Sequence, residues 1–217
     1  RASAAARITP AGTGARIATM QTTTFEAFKE LAQRGTFVPV YKEIVADLLT
    51  PVSAFLKIAE HSDYAFLLES VEGGEHVGRY SFLGKDPFLI LRSRGGRTTV
   101  ERAGEVTEST RPFIDTLREL MAEFHSPYVP GLPRFTGGAV GYLGYDAAAW
   151  FEPVELQPVA PDRDDAGFML FDTVLAFDHV RHRILIIANA RITGGEDLES
   201  LYQFACAKIE FAERELE

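Results

Sequence analysis

The segment with the clearest chemical content is Tyr64-Ala65-Phe66-Leu67-Leu68-Glu69-Ser70, followed a few residues later by Gly78-Arg79-Tyr80-Ser81-Phe82-Leu83-Gly84. An apolar strand there ends abruptly in a carboxylate and a hydroxyl, so its backbone can hold Glu69 and Ser70 in fixed positions beside a core. The flexible Glu72-Gly73-Gly74-Glu75 loop lets the chain return, and Arg79 on the next strand adds a cation. An anion, a hydroxyl and a cation beside apolar surface are complementary to an amino acid. Its ammonium suits Glu69 and the Ser70 oxygen, because hydrogen bonds to ionised groups are stronger than neutral ones, and an apolar side chain suits the neighbouring core. Two plainer readings use the same residues: a strand that simply reaches solvent at Glu69, and a cross-strand Glu69–Arg79 ion pair.

The other candidates carry less. Gly137-Gly138-Ala139-Val140-Gly141-Tyr142-Leu143-Gly144 is glycine-rich like a phosphate-cradling loop, but it follows a proline loop instead of a strand and contains no Walker lysine. Its glycines are expected to let another backbone or a bulky aromatic approach within a sheet. His179 and His182 fall in a predicted turn where a spacing of three does not converge two rings on a metal, so they are read as solvated. Cys206, near the apolar stripe of the last helix, is expected to be a buried inert thiol. Asp164, Asp165, Glu196, Asp197 and Glu199 sit at a loop and a helix start, where unpaired amides and the helix dipole favour carboxylates. No residue is assigned a catalytic or metal-binding role.

The elements that must position these groups follow from local signals. Thr23 and Glu26 form a capping box for a helix over 24–34, stopped by Gly35. Phe37 to Ala46 carries Pro39 and reads as an edge strand or extended segment. Thr50-Pro51 places a hydroxyl at the N-cap and a proline at N1 of a second short helix, which feeds the Phe66 strand. Strands over 80–83, 88–92 and 98–102 form an antiparallel meander, the last two joined through Gly95-Gly96. A helix over 113–124 leads through a Pro/Gly-rich loop to the glycine element. Two apolar strands, 167–177 and 183–190, pair as a hairpin, and an amphipathic helix runs from Glu196 to the final residue. Strands in runs separated by few helices predict an α+β fold with antiparallel sheets and flanking helices.

Composition sets the bounds. With 217 residues and 46% of them hydrophobic, the chain is long enough to bury a real core. A formal charge of −9 without a Lys/Arg block argues against nucleic acid as a partner. No apolar run is long enough to span a membrane, and a single cysteine fits a reducing cytoplasm. Residues 1–22 are read as a disordered or non-native extension. Their Arg-bearing, acid-free composition fits a transit peptide or a start upstream of the true one at Met20, the latter preferred. The folded region is expected from Thr23 to Glu217. Its last helix, lacking a Gly or Pro stop, is what a chain cut from a longer one shows.

Leu48-Leu49-Thr50-Pro51-Val52-Ser53-Ala54-Phe55, then Phe66 to Glu72 and Gly78 to Gly84, resemble the N-terminal region of anthranilate synthase component I in order and spacing. Phe135 to Tyr142 resembles the glycine-rich element further along that family, so the resemblance covers residues 23–217. It implies the N-terminal part of the fold shared by chorismate-utilising enzymes. In that family the large subunit converts chorismate to anthranilate with Mg2+ and ammonia. The ammonia comes from a glutamine amidotransferase subunit, component II; the step opens tryptophan synthesis and is inhibited by tryptophan. The resemblance makes the Leu-Leu-Glu-Ser element part of the tryptophan site: Glu69 and Ser70 carry over directly, Leu68 as a lining residue, and Arg79 as a basic position if the loop is aligned with a gap. The aminodeoxychorismate synthase of folate synthesis is the nearest alternative, and a stand-alone amino-acid-binding module the alternative of another class. The family's chorismate-binding half, with its Mg2+ carboxylates, catalytic histidine and remaining pocket walls, lies beyond the equivalent of Glu217. The expectation is a regulatory region carrying part of a feedback site, needing no cofactor of its own and making no anthranilate alone.

Overall fold

The computed structural model describes residues 19–45, 49–69, 78–154 and 163–217. In chain order the described elements are β1 (Thr19–Thr22), α1 (Phe25–Ala32), β2 (Phe37–Val45), α2 (Pro51–Ala59), β3 (Ala65–Leu68), β4 (Tyr80–Lys85), β5 (Leu89–Arg94) and β6 (Arg97–Arg102). They continue with β7 (Glu105–Ser109), α3 (Phe113–Ala122), β8 (Gly138–Leu143), a 3-10 turn (Tyr145–Trp150), β9 (Ala166–Phe171), β10 (Thr173–Asp178), β11 (Arg183–Arg191) and α4 (Leu198–Leu216). The strands form two antiparallel sheets, ordered β1-β2-β11-β10-β4-β3 and β7-β6-β5-β9-β8. The α+β expectation therefore holds.

β11 shows why an uninterrupted apolar run can be a strand. Ile184, Ile186 and Ala188 enter the main core with Val38, Val40, Leu83 and Leu175, beneath the helices that supply Phe28, Ile58 and Ile209. Leu185 and Ile187 turn to the other face, where Ala176 joins them under Tyr41, Phe82 and Leu132. With both faces covered, neither set of alternate positions needs polar side chains. Phe66, Phe171 and Val174, with Phe135, Val140 and Met169, make a further cluster drawing on both sheets.

Several helix and turn signals act as expected. Thr50 accepts from Ser53 N at 3.1 Å while Ser53 Oγ accepts from Thr50 N at 3.0 Å, and Pro51 opens α2. Gly95 and Gly96 both have positive φ, +57° and +78°, as a two-residue hairpin turn needs. Thr24, however, is the cap of α1, accepting from Ala27 N at 3.3 Å. Thr23 is instead tied into the sheet through Tyr41, at 3.0 Å to its backbone nitrogen and its hydroxyl alike.

Four other expectations are corrected. Thr19–Thr22 pair with β2, so the described sheet begins four residues before the boundary drawn at Thr23. β2 is an interior strand despite Pro39. Phe37 N and Tyr41 N point away from β11, to His125 O and Thr23 Oγ1, so the missing proline N–H falls on that side, beyond the reach of β1 at Lys42–Ile44. The strand read over 167–177 is two strands, broken at Asp172, of which β9 belongs to the smaller sheet and β10 to the larger. The meander is β5-β6-β7; β4 pairs with β3 and β10 instead. Among the described residues no helix is long and apolar enough to cross a membrane.

Candidate functional site

β3 is an edge strand, paired with β4 alone, and its register sets Leu68 opposite Phe82 and Leu67 opposite Leu83. Alternation turns Leu67 toward the helix-covered core and leaves Leu68 47% exposed at the strand end. Glu69 follows the last paired residue and is exposed. Ser70, the hydroxyl singled out with it, lies outside the described residues.

Arg79 is not paired with Glu69 among the described residues. Its Nε and Nη2 donate to Asp178 Oδ1 and Oδ2 at 3.0 and 2.8 Å, a bidentate pair with a carboxylate whose side chain is fully buried. Asp178 also accepts from Arg181 N at 3.2 Å and from Arg183 Nε at 3.3 Å. Arg183 then reaches Glu43 through Nη1 and Gly131 O through Nη2 at 3.3 Å. Charges thus alternate along Arg79, Asp178, Arg183 and Glu43, which pairs every buried ion and so meets the condition under which such ions are tolerated. Burial alone would raise the Asp178 carboxyl; the Arg79 hydrogen bonds, the Arg181 amide and the Arg79 and Arg183 charges outweigh it and hold the group below its ordinary value.

This chain of charges leads to an aromatic surface next to Leu68. The Arg79 guanidinium lies 4.8 Å from the centroid of the Tyr80 ring, Tyr80 is 5.8 Å from Phe82, and Phe82 meets Phe135 edge-on at 5.3 Å. Burial, followed by the Asp178 charge, pushes the Tyr80 phenol up. Arg79 Nη1 makes no hydrogen bond among the described residues, and the side chain is 32% exposed. The neighbourhood of the β3 end therefore holds an exposed carboxylate, aromatic and aliphatic surface at Leu68, Tyr80 and Phe82, and a fixed guanidinium whose Nη1 is unbonded among the described residues. Two clefts lie elsewhere. One of about 320 Å3 is lined by Phe204, Phe211 and Lys85 and another of about 370 Å3 by Asp172, Asn189 and Arg191; neither includes Leu68, Glu69 or Arg79.

The remaining candidates resolve into structure. Gly141 is where β8 and β9 touch: an added Cβ would sit 2.0 Å from Gly167 O. His179 is exposed but its Nε2 lies 2.8 Å from the buried Ser81 Oγ, so it is not purely solvated. Burial raises the Cys206 thiol, as expected of an inert group. Asp164 pairs with Arg94 at 2.7 Å, Asp197 caps α4 through Ser200 N at 3.0 Å, and Glu196 accepts from Gly194 N at 2.8 Å. No group of three or more His, Cys, Asp or Glu among the described residues could hold a metal ion. Sequence reasoning passed over Asp178, Arg183, Glu43 and Tyr80. The hairpin offered a signal, since Asp178 and Arg183 flank its turn and face each other in register.

No family model matches the chain. Among curated proteins it is 44% identical over 85% of its length to anthranilate synthase component 1 of Synechocystis sp., covering 37% of that protein. It is 39% identical over 89% of its length to the protein of the same name from Acetivibrio thermocellus, covering 39% of it. It is 38% identical over 87% of its length to a probable anthranilate synthase component 1 of Schizosaccharomyces pombe, covering 36%. The chain spans little more than a third of the length of these relatives. A solved structure of anthranilate synthase component I from Streptococcus pneumoniae is similar over 78% of the chain and 36% of its own, at 25% identity and a TM-score of 0.48.

Proposed function

Because the chain belongs to the anthranilate synthase component 1 family, spanning little more than a third of its relatives' length, we propose that it is a regulatory region of that enzyme whose β3 end holds part of a feedback site for L-tryptophan. The observation that carries this reading is the pairing of unlike groups at one strand end: exposed Glu69 after half-exposed Leu68, and Arg79 anchored on buried Asp178 with Nη1 unbonded among the described residues. A zwitterion fits them. The ammonium is taken by Glu69 with the Ser70 hydroxyl, the carboxylate by Arg79 Nη1, and the indole by Leu68, Tyr80 and Phe82.

In the full-length enzyme the reaction is the conversion of chorismate to anthranilate, with ammonia supplied by a glutamine amidotransferase subunit, component II. The described residues do not fit the Mg2+ that reaction uses, since no acid or histidine cluster among them could hold it. The proposed role of this region is binding. Its effect is allosteric: tryptophan at the β3 end favours an arrangement of the full-length protein less able to hold chorismate, with a coupling of about 1–3 kcal/mol.

Replacing Ser70 by Ala in the full-length protein tests the assignment. The expected outcome is a tryptophan inhibition constant raised by about tenfold, from loss of one hydrogen bond to a charged group, with anthranilate formation retained. An unchanged inhibition constant contradicts it.

A further inference from the structure

Asp178 makes no contact with solvent, yet three separate donors converge on its carboxylate, and one of them is the cation of the proposed site. We infer that Asp178 is a positioning residue: held between Arg79 and Arg183, it fixes the guanidinium whose free edge meets the effector's carboxylate, and so sets affinity for an aromatic amino acid without touching it. The inference rests on the reading of the site given above.

An arginine just outside a strand is ordinarily free to sample many rotamers, and ordering it on binding subtracts from affinity. Arg79 is already ordered. Two of its three guanidinium nitrogens are spent on Asp178, which orients the third, and the Tyr80 ring lies under its plane at 4.8 Å. Asp178 is itself over-determined. Arg183 holds it from the next strand, and Glu43 with Gly131 O holds Arg183, so the four side chains tie the entry to β4 to β10, β11 and β2. Backbone pairing of Asp178 with Tyr80 and with Arg183 belongs to the sheet and does not depend on the carboxylate. An amide in its place keeps the strand but turns donors toward two guanidiniums, which releases Arg79.

The test uses the full-length protein, with anthranilate formation from chorismate and ammonia followed in the presence of L-tryptophan. Wild type, Asp178→Asn and Asp178→Glu are compared for the tryptophan inhibition constant, the calorimetric Kd, kcat and KM for chorismate. Asp178→Asn is expected to raise the inhibition constant and the Kd by about tenfold, the scale of one lost hydrogen bond between charged groups, while kcat and KM stay near wild type. Asp178→Glu keeps the charge but displaces it by a methylene, so a smaller rise is expected, and it carries the test if the amide variant fails to fold. Unchanged tryptophan affinity in the variants overturns the inference. So does a fall in kcat/KM that parallels the loss of inhibition, because a merely structural defect moves both. A wild-type protein that binds no tryptophan overturns the site itself, a failure read before any variant is made.

Discussion

Arg79 divides one guanidinium between a buried acid and the surface, and most of the residue-scale behaviour expected here follows from that division. Asp178 is held below its ordinary value despite burial. A carboxyl depressed in the folded state contributes stability that is fully present above its unfolded value, about 3.9, and is lost as pH falls through the lower folded value. The acid loss of stability due to Asp178 is therefore expected below about pH 4. Asp178→Asn should lower stability at neutral pH by about 3 kcal/mol, the cost of leaving a buried partner uncompensated, and should flatten part of that acid limb. Urea midpoints at pH 7 and pH 3 check both; a variant whose midpoint falls between those pH values as steeply as wild type contradicts the assignment. Tyr202 provides the alkaline counterpart. Burial, with help from Cys206, pushes its phenol up to about 12, and its hydroxyl donates to Thr23 O at 2.8 Å. A raised folded value means stability present below the unfolded value, about 10, and lost as pH rises past it. Tyr202→Phe should weaken that alkaline loss, as read by melting temperature between pH 9 and pH 11.

Elements differ in how far their own residues specify them. The Thr50-Pro51-Val52-Ser53 cap was legible because every partner lies within a few residues, and Thr50→Ala should cost about 1 kcal/mol in a thermal or urea melt. The split between β9 and β10 was not legible. Residues 166–178 are apolar nearly throughout, and the break at Asp172 is made by distant partners: Asn189 N donates to its carbonyl at 2.7 Å and Lys208 pairs with its carboxylate at 2.7 Å. Pro39 misled for a related reason, since a proline is excluded from a strand interior only on the side where a neighbour needs its N–H. The exposed strand β7 gave no apolar alternation to read. The glycine element was correctly read as a close approach within a sheet. Gly141→Ala, with its Cβ 2.0 Å from Gly167 O, should open β8–β9 and destabilise by more than about 3 kcal/mol, beyond ordinary overpacking. A melt within a few degrees of wild type contradicts that contact.

At the scale of the molecule, the two sheets meet where β4 passes into β5 and β9 into β10, with Phe66 from β3 packed against Phe171 at 4.7 Å. The edge strand that ends in Leu68 and Glu69 is thus anchored beside that junction. The resemblance of the Leu-Leu-Glu-Ser and glycine-rich segments pointed to the family, and the curated relatives bear it out. The paired partner of Arg79 was hidden because Asp178 lies 99 positions further along the chain. Under the proposed function, the described residues would form one wall of a site, acidic at Glu69 and cationic at Arg79, in a region spanning about a third of its relatives. The most direct test of the central claim is calorimetric titration of L-tryptophan into the full-length protein, wild type against Glu69→Gln. The account predicts binding by wild type and an affinity about tenfold or more weaker once the carboxylate facing the ammonium is neutralised, with anthranilate formation retained. Equal tryptophan affinity in the two proteins would contradict it.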